Sequence, residues 1–375
     1  MSKEGGTLFA HFSEMEDPRV DRTKRHHLID IITIAICAIV CGADNWTEVA
    51  LFGKAKKEWF QTFLALPNGI PSHDTFGRLF SLLDPIAFEQ HFSSGVRTIA
   101  TLTKREVVAI DGKTARRSFT KKSSGDWNAL HLVSAFATKN GLTLGERAVD
   151  TKSNEQKIIP ALLETLFISG CIVTIDAAGC YKNIAETARN RGADYLLAVK
   201  KNQLTLYKDI EKIFHNLPRP FPAHTYAEEH AHGRTTTREC SIVTEEHLLS
   251  GLRRRDAWKD LASVVNSTST RTVNGQTTVE QRYYISSLQS VTAEDVLDAV
   301  RSHWRIENTL HWVLDIAFRE DESRIRTGHA QENFALMRKI SLNLLKQETT
   351  EKVGIKAKRL KCGWDEPYLL KVLGI

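Results

Sequence analysis

One small pattern occurs at two distant places in this sequence. Val107-Val108-Ala109-Ile110 ends on Asp111, and Ile172-Val173-Thr174-Ile175 ends on Asp176. A short, unbroken, largely β-branched run reads as a strand buried on both faces. A carboxylate at the end of such a strand is unfavourable unless something cationic meets it. For Asp111 three readings stand open: pairing with Lys113, pairing with Arg116, or holding a metal. Singly, an aspartate at a strand end is more often a cap or turn former. The repetition argues for a shared site, because parallel neighbours would bring both carboxylates to one end of a sheet. Two converging carboxylates suit Mg²⁺, which takes hard oxygen ligands and keeps positions for water and phosphate.

The surrounding pattern supplies the parallel context. "EVVAID", "ALHLVSAFAT" and "LTLGERAVD" read as three strands, the last two joined through "KNG". Then come a helix in "NEQKIIPALLETLF", a strand in "CIVTID", a helix in "KNIAETARNRG" and a strand in "DYLLAVK". This β-β-β-α-β-α-β order implies a mixed sheet with right-handed crossovers. Residues 1–100 read as a helical domain, with a serine cap before "HDTFGRLFSLL" and prolines at 67, 71 and 85. The apolar stretch at 31–43 is shorter than the ~20 residues of a membrane helix and reads as a buried helix. Residues 201–290, rich in Thr, Val and Ser with Asn274-Gly275 as a hairpin signal, read as a β-rich insertion. A long helix is expected from about 293 and completes the core over 291–345. A basic tail follows at 346–375.

A paired-metal site needs a third acid. On the long helix Val300, His303, Trp304, Glu307, Leu310, His311 and Leu314 fall at three- and four-residue steps, so Glu307 is expected on an inward, largely apolar face. The competing reading is an ion pair between Glu307 and His303 or His311. Trp304 and Trp312 read as core. No GxSxG, HExxH or P-loop competes for the chemistry, and the six cysteines form no CxxC pair, as in a cytoplasmic protein with reduced thiols. Positive charge is uneven: residues 101–150 carry nine Lys/Arg against five Asp/Glu, and residues 324–375 carry eleven against five. That distribution suits a polyanion such as DNA, although a solvated basic face would look the same. Candidate phosphate contacts are Lys113, Arg116, Arg117, Lys200, Arg324 and Arg326, with His303 and His311 available if protonated.

Several long blocks together resemble the H-repeat-associated bacterial insertion-sequence transposases. They include "AIDGKTARRS", "KSNEQKIIPALLETL", "TIDAAGCYKNIAE", "DYLLAVKKNQ" and "HWRIENTLHWVLDIAFREDESRIR", and the likeness spans almost the whole chain. The resemblance implies an RNase H-like mixed-sheet core with a β-rich insertion, preceded by a helical N-terminal region. It also implies an acidic triad of Asp111, Asp176 and Glu307 holding Mg²⁺, with Mn²⁺ able to substitute. The partners it implies are double-stranded DNA, both terminal repeats and target, and further copies of this chain, with no membrane. The implied reaction is hydrolysis at a transposon end followed by strand transfer; a nuclease without joining activity or a non-catalytic DNA-binding remnant are the alternatives. One departure stands out. Related transposases with such an insertion carry Tyr and Arg before the glutamate and Lys after it, where this chain has Val300, His303 and Leu314.

Overall fold

The computed structural model describes residues 8–121, 127–149, 154–217, 224–231 and 233–374. Helices α1 (Leu28–Val40), α2 (Trp46–Ala55), α3 (Lys57–Phe60), α4 (His73–Leu82) and α5 (Pro85–Ile99) come first. Their starts are set locally: the side chains of Asn45, Ser72 and Asp84 accept backbone N–H groups at the first turns of α2, α4 and α5. Apolar on nearly every face, α1 is buried almost throughout, as expected of the greasiest stretch.

Among the described residues the core sheet has nine strands in the order β5-β4-β1-β6-β7-β11-β10-β9-β8. Its first part comprises β1 (Val107–Thr114), β4 (His131–Ala137), β5 (Leu142–Val149), β6 (Ile172–Ile175) and β7 (Asp194–Val199). A separate small ribbon pairs β2 (Thr120–Lys121) with β3 (Trp127–Asn128). β1 runs antiparallel to β4 and parallel to β6, and β6 runs parallel to β7. Crossovers pass through α6 (Glu155–Thr165) and α7 (Lys182–Asn190). Three antiparallel strands followed by two parallel ones, with β1 central, is the RNase H-like arrangement.

The segment after β7 departs from the uniformly β-rich reading. It opens with α8 (Leu204–Asn216), which buries Leu206, Ile210 and Phe214 at four-residue steps. Phe214 stacks on Tyr283 at 6.0 Å, so this helix covers the next strands. Those strands are β8 (His224–Ala231), β9 (Arg234–Val243), β10 (Ser263–Val273) and β11 (Gln276–Ser286), with the short α9 (Glu246–Leu249) between them. They extend the core sheet, because Tyr283–Ser286 of β11 pair antiparallel with Val199–Leu196 of β7. Asn274 and Gly275 both take positive φ at the β10–β11 turn, as a two-residue hairpin requires.

The final stretch runs through α10 (Ala293–His303), a π-helical turn (Glu307–His311), α11 (Trp312–Phe318) and α12 (Ala330–Gln347), and ends with α13 (Ile355–Trp364) and α14 (Glu366–Leu373). Trp46 of α2 stacks on Phe80 and meets Phe334 of α12 edge-on at 4.9 Å, which joins the N-terminal helices to the core. Within the basic stretch at 346–375 some of the cations are turned inward. Arg359 is buried, donates to the Ile39 carbonyl at 2.7 Å and to the Ala317 carbonyl, and lies over the Phe318 ring. Lys358 is buried too and donates to the Leu345 carbonyl. These cations satisfy carbonyls inside the fold and offer little to a polyanion. Among the described residues all six cysteines are unpaired, and no helix is long and apolar enough to cross a membrane.

Candidate active site

The parallel ladder between β1 and β6 ends at Ile110 opposite Ile175. Asp111 and Asp176 are the next residue on each strand, so the register brings them to the same end of adjacent strands. β1 itself continues against β4 to Thr114, which makes Asp111 an interior strand residue with one free edge. Asp176 is half-buried, and one of its oxygens accepts the Ala178 N–H at 3.0 Å. The turn behind it is braced from below. Asn202 donates to the Ala177 carbonyl and Gln203 to the Cys180 carbonyl, which shapes the turn.

Lys113 pairs with neither aspartate. Its ammonium sits between Asp315 and Glu320, 2.8 Å from the latter. The geometry is strand against helix: Asp111 and Lys113 share one face of β1, about 6.6 Å apart. His311 and Asp315 lie four residues apart along the helical run, about 6 Å. His311 accordingly faces Asp111, with Nδ1 3.5 Å from Oδ2, while Lys113 takes Asp315. Arg116 is also spoken for, by Asp321 at 3.3 Å. Both cationic partners expected for Asp111 are thus engaged elsewhere.

What surrounds Asp111 is mostly negative. Burial, then the Asp176 carboxylate, then Glu307 and Glu155 push it up to about 7, against a lowering bond from the Gly112 N–H. Glu307 differs from its expected inward position. The π turn places Ile306 and Leu310 in the core and leaves Glu307 exposed, paired with neither His303 nor His311. Such turns recur at functional sites because they re-aim side chains. Trp312, expected in the core, is 60% exposed for the same reason of phase. Among the described residues no three acidic, histidine or cysteine side chains already converge closely enough to cage an ion. The donor set nevertheless fits a hard divalent cation. The carboxylates of Asp176, Glu307 and Glu155 repel that of Asp111, and among the described residues no ammonium or guanidinium pairs with Asp111 or Asp176.

Burial disfavours the cationic form of both histidines. His303 is buried, with Nδ1 3.0 Å from the Thr174 hydroxyl; burial outweighs the Asp176 charge and holds it at about 4. His311 is held at about 3 by burial and then by Lys113 and Lys339, and its Nε2 is buried without a hydrogen-bond partner. Both rings are neutral at physiological pH. Lys200 is exposed beside Asp176 and unpaired among the described residues, and Arg117, Arg324 and Arg326 are exposed in a neighbouring cleft; all four stay available to phosphate.

Two residues beside the site carry no distinct signal in the sequence. His131 Nε2 and Glu155 Oε1 are 2.6 Å apart in a buried pair behind β1. Gly112 makes room for them, since a Cβ there would lie 2.6 Å from Glu155 Oε1 and 2.7 Å from His131 Nε2. Only the occurrence of Glu155 in the conspicuous "KSNEQK" block hints at such a role. Gly112→Ala is expected to lower stability by about 1–3 kcal/mol through displacing this pair, read as a shifted denaturation midpoint; an unshifted midpoint would show that the pair moves aside freely.

Glu320 carries a pH signature. Burial alone would raise it, but Lys339, Lys113 and Arg338 pull it below its ordinary 4.5, to about 2. A carboxylate depressed in the folded state stabilises fully above its unfolded value, and that contribution is lost as pH falls from about 4.5 towards about 2. Glu320→Gln should therefore be less stable than wild type at neutral pH and show a flatter loss of stability across that acid window. A wild-type slope unaltered by the substitution would contradict this assignment.

The chain is similar to several known proteins. A family model described as "Transposase DDE domain" matches residues 102–344, and one described as "DDE_Tnp_1-associated" matches residues 9–94. The chain is 38% identical over 382 residues to "Putative transposase YncI" of Escherichia coli O157:H7, covering 98% of this chain and 94% of that protein. It is 38% identical over 375 residues to "H repeat-associated putative transposase YhhI" of Escherichia coli K12, covering 98% and 97%. A cryo-EM structure of a piggyBac transposase synaptic complex with hairpin DNA superposes with a TM-score of 0.44 at 10% identity, over 98% of this chain and 77% of that one. With the aspartates in register on the core sheet and relatives alike over nearly their whole length, this chain belongs to the H repeat-associated family of bacterial DDE transposases.

Proposed function

We propose that this protein cuts a phosphodiester at the ends of its own insertion element and joins the freed 3′-hydroxyl to target DNA. The observation that carries the reading is the pair Asp111 and Asp176, one register step beyond a parallel ladder, with Lys113 and Arg116 committed elsewhere. Asp111, Asp176 and Glu307 would hold Mg²⁺, or Mn²⁺ in its place. Bound there, the metal would supply Lewis acidity towards the scissile phosphate and activate water or the 3′-hydroxyl.

The chain's own residues set the rest. Lys113, clamped by Asp315 and Glu320, fixes the glutamate-bearing helical run against β1 and leaves Asp111 unneutralised. His311 limits the rotation of the Asp111 carboxylate from the same run, as a neutral ring that adds no competing charge. Lys200 stands where a phosphate beside Asp176 would meet it. The partners on this reading are terminal repeats, target DNA and further copies of this chain, acting in the cytoplasm at the nucleoid.

The test is metal-dependent cleavage and joining of DNA carrying the element's terminal repeats, with wild type beside Asp176→Asn and Glu307→Gln. Loss of both activities in each variant, with folding retained, is the expected result. Cleavage without joining in wild type would reduce the protein to a nuclease. Cleavage that persists in the variants would move the site elsewhere.

A further inference from the structure

A cleft of about 720 Å³ opens between the N-terminal helices and the loop that follows α11. Its cationic lining comes from both sides of the chain: Arg78 on α4, Arg117 beyond β1, Arg319, Arg324 and Arg326 on the loop, and Arg338 on α12. The acidic lining is partly paired. Glu322 pairs with Arg319, Asp74 lies 3.5 Å from His73, Glu48 accepts the Asp44 N–H and the Asn45 amide, and Asp44 lies 3.7 Å from Arg359. Arg78, Arg117 and Arg324 are exposed, and among the described residues their side chains have no ion pair or hydrogen bond. Arg326 is exposed as well and only reaches the Arg117 carbonyl, at 3.3 Å.

A second observation points to a ligand. Arg338 is 2% exposed and lies over the Phe334 ring at 4.5 Å. Its Nε and Nη2 are buried with no hydrogen-bond partner. Buried guanidinium donors are rarely left unsatisfied, and a planar fork of donors is suited to phosphate oxygens. An arginine of this kind at the inner wall, with unpaired arginines around the mouth, is the arrangement of a phosphate cradle.

We propose that this cleft grips the sugar-phosphate backbone of DNA, with the N-terminal helices as one jaw and the loop after the glutamate-bearing helical run as the other. This rests on the reading of the protein as acting on DNA, but not on the acidic triad. It gives the N-terminal helices a part in substrate binding. Backbone contacts position a duplex without reading its sequence, so the grip applies to any sequence placed there. Because Arg319–Arg326 follow directly from α11, a strand held in the cleft is anchored on the element that also carries Asp315 and that continues the π turn ending at His311.

The test is equilibrium binding of a fluorescein-labelled DNA duplex to the full-length protein across roughly 50–200 mM salt. Each lost phosphate contact makes the salt dependence shallower by about one in the logarithmic slope. Arg78→Gln/Arg324→Gln should therefore flatten it by about two and weaken binding to related and unrelated duplexes alike. Arg338→Met, which keeps the bulk over Phe334, should flatten it by about one. Unchanged affinity and slope in the folded double variant would overturn the proposal, as would a wild type that does not bind DNA. If inorganic phosphate raises the melting temperature of wild type but not of the double variant while DNA binding is unaffected, the cleft is a small-anion site and the proposal also fails. Cleavage assayed beside binding separates the two readings. Binding through the cleft without any wild-type cleavage would sink the catalytic assignment alone. Cleavage with cleft-independent binding would sink the cleft alone.

Discussion

Lys339→Met is expected to destabilise the protein by about 3–5 kcal/mol, because it strands a carboxylate in the interior. Lys339 on α12 is 2% exposed and bonded to Glu146 of β5, with Glu320 at 3.6 Å on its other side. Glu320 keeps Lys113 when Lys339 is removed, but among the described residues Glu146 retains only the Ser134 hydroxyl at 3.3 Å. Burial already raises Glu146 with Lys339 in place. Without the ammonium, the carboxylate must either stay charged in the interior or take up a proton, and both are costly. Chemical denaturation of the two proteins measures the difference. The double variant Lys339→Met/Glu146→Gln should recover much of the loss, since the stranded charge is the main cost. A loss below about 1 kcal/mol in the single variant would place the pair among the weak ion pairs typical of surfaces.

Asp111→Asn should do two opposite things. Cleavage should fall by about 10³-fold or more, since a carboxylate holding a catalytic metal accounts for several kcal/mol of transition-state stabilisation. The metal-free protein should become more stable by about 1–2 kcal/mol, after allowance for solvent screening of a partly exposed group. The reason is that Asp111 faces Asp176, Glu307 and Glu155 without a cation, and the isosteric amide removes that repulsion. Thermal melting in chelator reads the gain directly. Adding Mg²⁺ or Mn²⁺ should raise the melting temperature of wild type and leave Asp111→Asn nearly unmoved. A variant that melts below wild type in chelator would mean that Asp111 contributes to folding through contacts other than carboxylate repulsion.

These effects have a common origin in how the site is built. The interior charges Lys113, Asp315, Glu320, Lys339 and Glu146 form a chain linking β1, β5, α12 and the helical run that bears Glu307. That chain engages Lys113, the cation nearest Asp111 along β1. A charged structural network next to an acidic pair without an ammonium or guanidinium partner is a stability cost, and costs of that kind cluster at functional sites.

Much of this is legible in the amino-acid order. The core strands, their β-β-β-α-β-α-β order and the two aspartates at the ends of parallel neighbours follow from short apolar runs, and such runs are local. The Asn274-Gly275 turn is equally local, because positive φ at two successive residues is a demand that few side chains meet. Helix α8 escapes the sequence reading for a local reason too: Thr, Val and Ser dominate the segment that contains it, and its own four-residue period is averaged away. By contrast, Lys113 finds Asp315 across 202 residues, and Arg359 finds the Ile39 carbonyl across 320. No periodicity carries that information. Which cation neutralises which acid, the exposure of Glu307 on a π turn, the joining of β11 to β7 and the orphaned guanidinium of Arg338 were decided only when distant elements packed. Apolar periodicity acts along the chain and is written in it. Charge pairing in a low-dielectric interior acts through space, and only the tertiary structure sets those distances.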